Sequence, residues 1–430
     1  MKCQYIFKRG KFKGNRCNNN IPKLSQNLGN GESSFCSTHK IYLNCDKKQK
    51  VIIISNKSPE DRIKDKILNL KTTDQNKNII LKHYNNLKRL DSNSTEYYKN
   101  QVFIDLSLSY PWDKQFDIKN VLQNFTIPQF INTLQNNLDK EIYGMSNVKN
   151  EIINIICKLI TNPNSSRNNI ALYGSAGVGK SKFINILAKT LGIPMKIISL
   201  GGIKDSSFFL GHSYVYVESG PGKIVQNIID SKISNPIIYF DELDKISDTE
   251  HGKDVESFLS YLTDPTQNTQ FSDHYFYGMT FDLSKIFYVF TFNDITKINK
   301  ILLDRLNVIH IETPSNQEIA VILHNYCLNE IKTNIGINYD IIFDIKYIKQ
   351  IIQFHHSSID LNFSSGIREY YRILEKIFLE LNKEILLSIV FPENDQIIIS
   401  DDLFNRYFEK TKHNNLILYN NSNSNTSLYI

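Results

Sequence analysis

Gly174-Ser175-Ala176-Gly177-Val178-Gly179-Lys180-Ser181 fits the pattern G-x-x-x-x-G-K-[ST]. The glycines let the backbone turn tightly and bring several N–H groups to one point, where phosphate oxygens accept them. Lys180 adds a point charge for the β- and γ-phosphates. The Ser181 hydroxyl is a ligand for Mg²⁺. The flanks agree with this reading. Asn169 to Tyr173 is a short apolar strand, and Phe183, Ile184, Ile186, Leu187 and Leu191 recur at helical spacing after the loop. A strand, a glycine loop and a helix N-terminus in succession present unpaired N–H groups and the positive end of a helix dipole to an anion. All eight residues of 174–181 are therefore expected to cradle the phosphates of a nucleotide.

Downstream, Pro236-Ile237-Ile238-Tyr239-Phe240-Asp241-Glu242 is an apolar run that ends in two acids. A buried parallel strand delivering carboxylates at its C-terminal end suits a Walker B role. Asp241 then holds Mg²⁺ through water, and Glu242 positions and polarises an attacking water. A further strand ends at Thr291-Phe292-Asn293, where Asn293 is placed either to orient that water or simply to make a turn. Arg305, beside Asp304, reads as a surface ion pair or as an arginine offered to a neighbouring subunit.

Hydrophobic residues at 41% and charged residues at 22% describe a globular chain, long enough at 430 residues for two or three domains. No apolar run approaches the ~20 residues of a membrane span. Met1-Lys2-Cys3-Gln4 shows no secretory leader, and the six cysteines are irregularly spaced. The expectation is an intracellular, cytoplasmic protein without membrane association. Charge is uneven: residues 1–50 hold nine Lys and two Arg against Glu32 and Asp46, so the whole-chain +6 less this +9 leaves −3 for the rest.

Within that basic arm, residues 1–45, Cys3, Cys17, Cys36 and His39 give C-x13-C-x18-C-x2-H, with Cys45 as a spare. The close Cys36/His39 pair suits one Zn²⁺, and a metal would supply folding energy to a segment too poor in apolar residues for its own core. The plain alternative is a disordered basic arm with incidental thiols. Tyr5, Phe7 and Phe12 interleave with Lys8, Arg9, Lys11 and Lys13, which suits nucleic acid, a protein-docking knuckle or a solvated face. Residues 46–108 read as a linker or small helical adaptor, and 109–314 as an α/β nucleotide-binding domain. In its lead-in helix from Ser146, Val148, Ile152, Ile153, Ile156 and Ile160 fall on one face. Residues 315–413 form a helical block, with periodic stretches at 317–333, 345–356 and 366–383. Residues 414–430 read as a disordered tail.

The text between the motifs is more specific. Ser199-Leu-Gly-Gly-Ile-Lys-Asp, Gly211-His212, Pro221-Gly222-Lys223-Ile224, Phe240-Asp-Glu-Leu-Asp-Lys245, Asp264-Pro265, Phe271-Ser-Asp-His274, Phe281-Asp-Leu-Ser284 and Leu302-Leu-Asp-Arg305 resemble the ATPase module of Lon proteases, a branch of the AAA+ ATPases. Pro111-Trp112 and Ile142-Tyr143-Gly144 match its lead-in, so the likeness covers roughly residues 109–375. The Cys/His arm, over a shorter span, resembles small knuckles in proteins of large DNA viruses.

The resemblance implies an AAA+ P-loop fold, a parallel sheet flanked by helices with an α-helical lid. It also implies ATP and Mg²⁺ as ligands and a homo-hexameric ring. By position, Asn293 resembles sensor 1, Arg305 the arginine finger and Arg368 the sensor 2 arginine of the lid, while Tyr143 lies at the family's adenine pocket. Tyr216 falls at the pore-loop aromatic that grips a translocating polypeptide, with Tyr214 a weaker match. Three departures stand out. Ser175-Ala176 replaces the usual Pro-Pro, and the large N-terminal substrate domain gives way to the Cys/His arm. Only ~55 residues follow 375, too few for the serine–lysine peptidase. Lys383 and Ser388 there lack its context, so proteolysis is not expected. Three functions are expected, in this order: an ATP-driven protein remodeller that hands substrate to a separate protease or adaptor; a nucleic-acid-associated ATPase docked through residues 1–45; and a non-catalytic scaffold.

Overall fold

Helices precede the first strand. They are α1 (Pro59–Leu68), α2 (Asp74–Leu87), α3 (Thr95–Ser109), α4 (Ile127–Glu141) and α5 (Ser146–Thr161). Thr73, Ser94 and Thr126 cap α2, α3 and α4 by accepting the backbone N–H three residues on. The computed structural model describes residues 59–118, 126–163, 165, 168–203, 205–214, 216, 219–358, 366–392 and 395–424. Cys3, Cys17, Cys36, His39 and the basic arm lie outside them. Among the described residues no group of His, Cys, Asp or Glu is placed to hold a metal, and no helix is long and apolar enough to cross a membrane. Contacts divide the chain into two units, Met1–Lys66 and Ile67–Ile430, and the second carries the sheet and the lid.

Five strands, β1 (Ile170–Tyr173), β2 (Met195–Ser199), β3 (Ile237–Asp241), β4 (Phe287–Phe292) and β5 (Asn307–His310), form one parallel sheet in the order β2-β3-β4-β1-β5. Alternate residues serve opposite faces. Ile170, Leu172, Tyr239 and Val289 join one core with Leu134 and Leu138 of α4, Ile152 and Ile156 of α5, and Phe183 and Leu187 of α6 (Lys180–Leu191). Helix α7 (Lys223–Ser231) follows β2, and α8 (Glu250–Thr263) follows β3. On the other face, Phe240 stacks on Phe290 at 4.9 Å and meets Phe209, which stacks on Phe258 of α8 at 4.8 Å. With both faces covered, β3 and β4 are continuous apolar runs, as a buried parallel sheet requires.

The buried face of α5 differs from the one read from spacing. Ile155 and Lys149 are buried with Val148, Ile152 and Ile156, while Ile153 and Ile160 are only partly so. Lys149 is tolerated inside because its Nζ donates to Asp139 Oδ1 and to the Ile142 carbonyl, both at 2.7 Å.

The lid has its own core. Helices α9 (Asn316–Ile322), α10 (Leu328–Ile335), α11 (Ile345–Ser358), α12 (Ile367–Leu386) and α13 (Asp401–Ser424) surround Leu323, Ile331, Ile348, Tyr370, Leu374 and Phe404. A π-helical segment, Leu323–Cys327, divides α9 from α10 within the stretch read as one helix. A parallel pair, β6 (Asp340–Ile342) with β7 (Gln396–Ile398), was not evident from the pattern because each strand has three residues. Residues 414–424 are helical and not an unstructured tail. The packed start of α13, with Phe404, Tyr407 and Phe408 buried, supplies the nucleus, and each added residue then gains a hydrogen bond at low cost.

Candidate nucleotide site

Three strand ends converge at the carboxyl edge of the sheet. Tyr173 pairs in register with Phe292, and Phe240 with Phe290, so the phosphate loop after β1, Asn293 after β4 and Glu242 after β3 lie side by side. In open parallel sheets this edge is where ligands bind. Lys180 is only 9% exposed. Its Nζ donates to the carbonyls of Gly174 (2.7 Å) and Ser175 (2.9 Å) and to Asn293 Oδ1 (2.8 Å). Burial lowers its pKa and Arg368 adds to this, while Asp244 and Asp241 oppose it. The direct partners of the ammonium are thus neutral oxygens, which phosphate oxygens could replace with charged ones. Ser175, the departure from Pro, shares a 3.0 Å hydrogen bond with Thr313 Oγ1 just beyond β5.

The lid rests on this loop. Gly177 has φ +78°, and a Cβ there would lie 3.1 Å from Gly366 Cα and 3.5 Å from Arg368 Cβ. A Cβ on Gly366 would come within 2.2 Å of the Ala176 carbonyl oxygen. Both glycines are needed for the start of α12 to seat on the loop, which brings Arg368 to the phosphate side.

A relay of hydrogen bonds joins the two groups read as Mg²⁺ ligands. Thr291 Oγ1 donates to Asp241 Oδ1 at 2.5 Å, since a carboxylate only accepts. Tyr239 must therefore donate its hydroxyl proton to Thr291 Oγ1 (3.1 Å), and Ser181 must donate to the Tyr239 oxygen (2.8 Å). Among the described residues nothing donates to the Ser181 lone pairs. Two hard oxygen donors, one anionic, fit Mg²⁺. Burial pushes the Tyr239 hydroxyl up to about 12, so it stays protonated. Tyr239 and Thr291 were missed from sequence. Each stands two residues before a recognised site residue, Asp241 or Asn293, and so shares its side of the strand. Tyr239→Phe breaks the relay without emptying the ring's space. Its expected effect is an about three- to tenfold weaker Mn²⁺ affinity in the nucleotide-bound protein, read by paramagnetic resonance. Unchanged Mn²⁺ affinity would remove Tyr239 from the account.

Glu242 leaves the strand in a left-handed conformation, φ +60°. Its backbone N–H donates to Asp241 Oδ1 at 3.0 Å. Its Oε2 lies 3.4 Å from Ser199 Oγ, and a Cβ on Gly201 would approach it to 2.7 Å. The carboxylate therefore projects over the end of β2, exposed, beside Asp241. Tyr143 lines a cavity of about 270 Å³ with Val178, Ile311, Ile322 and Ile367, and its ring meets Tyr326 of the π-helical segment edge-on at 6.4 Å. These walls come from the lead-in, the phosphate loop, the β5 exit and the lid, and with His310, Thr313 and Glu318 beside the apolar faces they suit a flat base that carries polar edges.

Arg305 pairs with Asp264 Oδ2 at 3.0 Å, not with the adjacent Asp304, and also donates to the Ser260 carbonyl. It lies just before β5, where Asn307 pairs with Ile170. It is therefore at the amino edge of the sheet, the opposite end from its own phosphate loop. Tyr216 is 68% exposed within a loop closed at its base by an antiparallel bridge between Gly211 and Pro221.

This geometry is that of a P-loop ATPase of the AAA+ class, and residues 170–313 match the family described as ATPase family associated with various cellular activities (AAA). Lon proteases are among the similar curated proteins. A Lon protease homolog of Acanthamoeba polyphaga mimivirus is 33% identical over 312 residues, 71% of this chain and 30% of the relative. The Lon protease of Aster yellows witches'-broom phytoplasma is 30% identical over 316 residues, 73% of this chain and 37% of the relative. The mitochondrial Lon protease homolog of Mus musculus is 29% identical over 325 residues, 74% and 33%. The chain thus carries an ATP-hydrolysing AAA+ domain related to that of Lon proteases, and it spans about a third of the length of these relatives.

Proposed function

We propose that the chain is an ATP-driven protein-remodelling machine that draws polypeptide through the centre of a homo-hexameric ring. The observation that carries this is the seating of Gly366 and Arg368 of the lid on the phosphate loop at Gly177, which ties lid position to the nucleotide. Lys180 and the loop N–H groups hold the phosphates, and Tyr143 walls the base. Ser181 and Asp241 hold Mg²⁺, which when bound neutralises phosphate charge. Glu242 polarises the attacking water, with Asn293 orienting it, and Arg368 senses the phosphate from the lid. Arg305, out of reach of its own site, serves the neighbour's. A separate protease or adaptor takes the emerging polypeptide.

The exposed Tyr216 is the proposed grip. ATP-dependent loss of fluorescence from a tagged green fluorescent protein is expected with the native chain and is expected to be abolished in Tyr216→Ala. Equal rates in the two would sink the threading reading. The second reading, docking on nucleic acid, is favoured by the +9 charge of residues 1–50. It takes over if DNA or RNA stimulates ATP turnover and deletion of residues 1–45 removes the stimulation.

A further inference from the structure

Tyr214 and Tyr216 lie two residues apart in the same loop, yet their surroundings differ. Tyr216 is open to solvent, whereas Tyr214 is packed among aromatics from outside the loop. Its ring is 5.1 Å from His83 of α2 and 5.7 Å from Phe103 of α3, edge-on to both, and 6.0 Å from Tyr275. His83 and Phe103 stack on each other at 3.9 Å. The His83 ring is fixed as well. Asn100 Nδ2 donates to the Glu96 carbonyl (2.7 Å), so its Oδ1 faces His83 Nδ1 (2.8 Å), which must carry the proton. Burial lowers the His83 pKa and favours this neutral form. Among the described residues the buried Tyr214 hydroxyl has no hydrogen-bond partner, and the contacts that hold the residue there are those of its ring.

The same helical hairpin grips the segment that anchors the loop's base. Asn76 of α2 exchanges two hydrogen bonds with the backbone of Thr280 (2.8 and 3.0 Å), and Gln75 donates to the Gly278 carbonyl (2.8 Å). Within that segment, the buried Asp273 accepts the Gly222 N–H at 2.8 Å, and the His274 N–H donates to the Leu210 carbonyl at 2.7 Å. Both ends of the loop are therefore tied to residues 273–274, and Tyr214 ties its interior to α2 and α3.

We infer that Tyr214 is a positioning residue and the α2–α3 hairpin an abutment, together setting the height and angle at which the loop presents Tyr216. This rests on the reading that the loop grips polypeptide. It makes residues 74–109 part of the working ring and not a passive linker. A load or partner bound to the hairpin would reach the grip directly.

The test uses the full chain with a slowly hydrolysed ATP analogue and fluorescein-labelled, reduced and carboxymethylated α-lactalbumin, a permanently unfolded polypeptide. Tyr214→Ala is expected to weaken polypeptide binding about tenfold, equivalent to about 1.4 kcal/mol of lost loop ordering, with the ATP KM unchanged. Amide exchange at His212 and Tyr216 is expected to speed up. Tyr214→Phe should restore both, because the hydroxyl has no hydrogen-bond partner among the described residues. Tyr214→Leu replaces Ala if that variant does not fold. Native affinity and exchange in Tyr214→Ala, alongside weakened binding in Tyr216→Ala, would overturn the inference and leave the grip intact. Native affinity in Tyr216→Ala would overturn the grip itself, and the exchange data would then judge the abutment alone.

Discussion

Glu242→Gln is expected to bind ATP as the native chain does and to hydrolyse it about 10²- to 10⁴-fold more slowly, the usual worth of a positioned general base. The substitution keeps the shape that fits over Gly201 and removes only the charge. Asp241, Thr291, Tyr239 and Ser181 keep their relay, since Glu242 contributes to it only a backbone N–H. Binding measured with a fluorescent nucleotide and turnover measured by phosphate release separate the two effects. Turnover within tenfold of native would show that the exposed carboxylate over β2 is not the base.

The second large effect concerns Arg305. Arg305→Ala and Lys180→Ala are each expected to lower ATP turnover by about 10³-fold or more. Mixed at equal concentration, they should recover up to about a quarter of native turnover. In a ring of heterologous contacts, that is the share of interfaces pairing an intact loop with an intact arginine. The placement of Arg305 at the amino edge of the sheet, paired with Asp264, is the physical ground for this expectation. Because the substitution also breaks that pair, its melting temperature is a necessary control. No recovery on mixing would mean that Arg305 acts within its own chain, as a structural ion pair.

Strands β1, β3 and β4 were legible because they are short apolar runs ending at glycine, acids or asparagine, and because the phosphate loop fixes the strand before it and the helix after it; β5, with Asn307 and His310 exposed at the sheet edge, was not read. The places of Asp241 and Asn293 at the carboxyl edge were legible for the same reason, since one ends a buried strand and the other follows one. Tyr239 and Thr291 were not. A polar side chain inside an apolar strand gains its meaning only when the neighbouring strand brings the partner within hydrogen-bond reach, and register is not written locally. The role of Tyr214 was hidden in the same way, because its partners His83 and Phe103 lie more than a hundred residues earlier. Nor could spacing tell which face of α5 is buried, because the Asp139 carboxylate and the Ile142 carbonyl that admit Lys149 come from outside that helix. The π-helical segment 323–327 keeps helical periodicity closely enough to pass for one helix, although it brings Tyr326 against Tyr143.

The central claim is that ATP hydrolysis is coupled to polypeptide. It is tested most directly by steady-state ATP turnover of the full chain with Mg²⁺, with and without reduced and carboxymethylated α-lactalbumin. Turnover that rises several-fold with the polypeptide, and vanishes in Lys180→Ala under both conditions, is the predicted result. Turnover indifferent to the polypeptide at every concentration would contradict it.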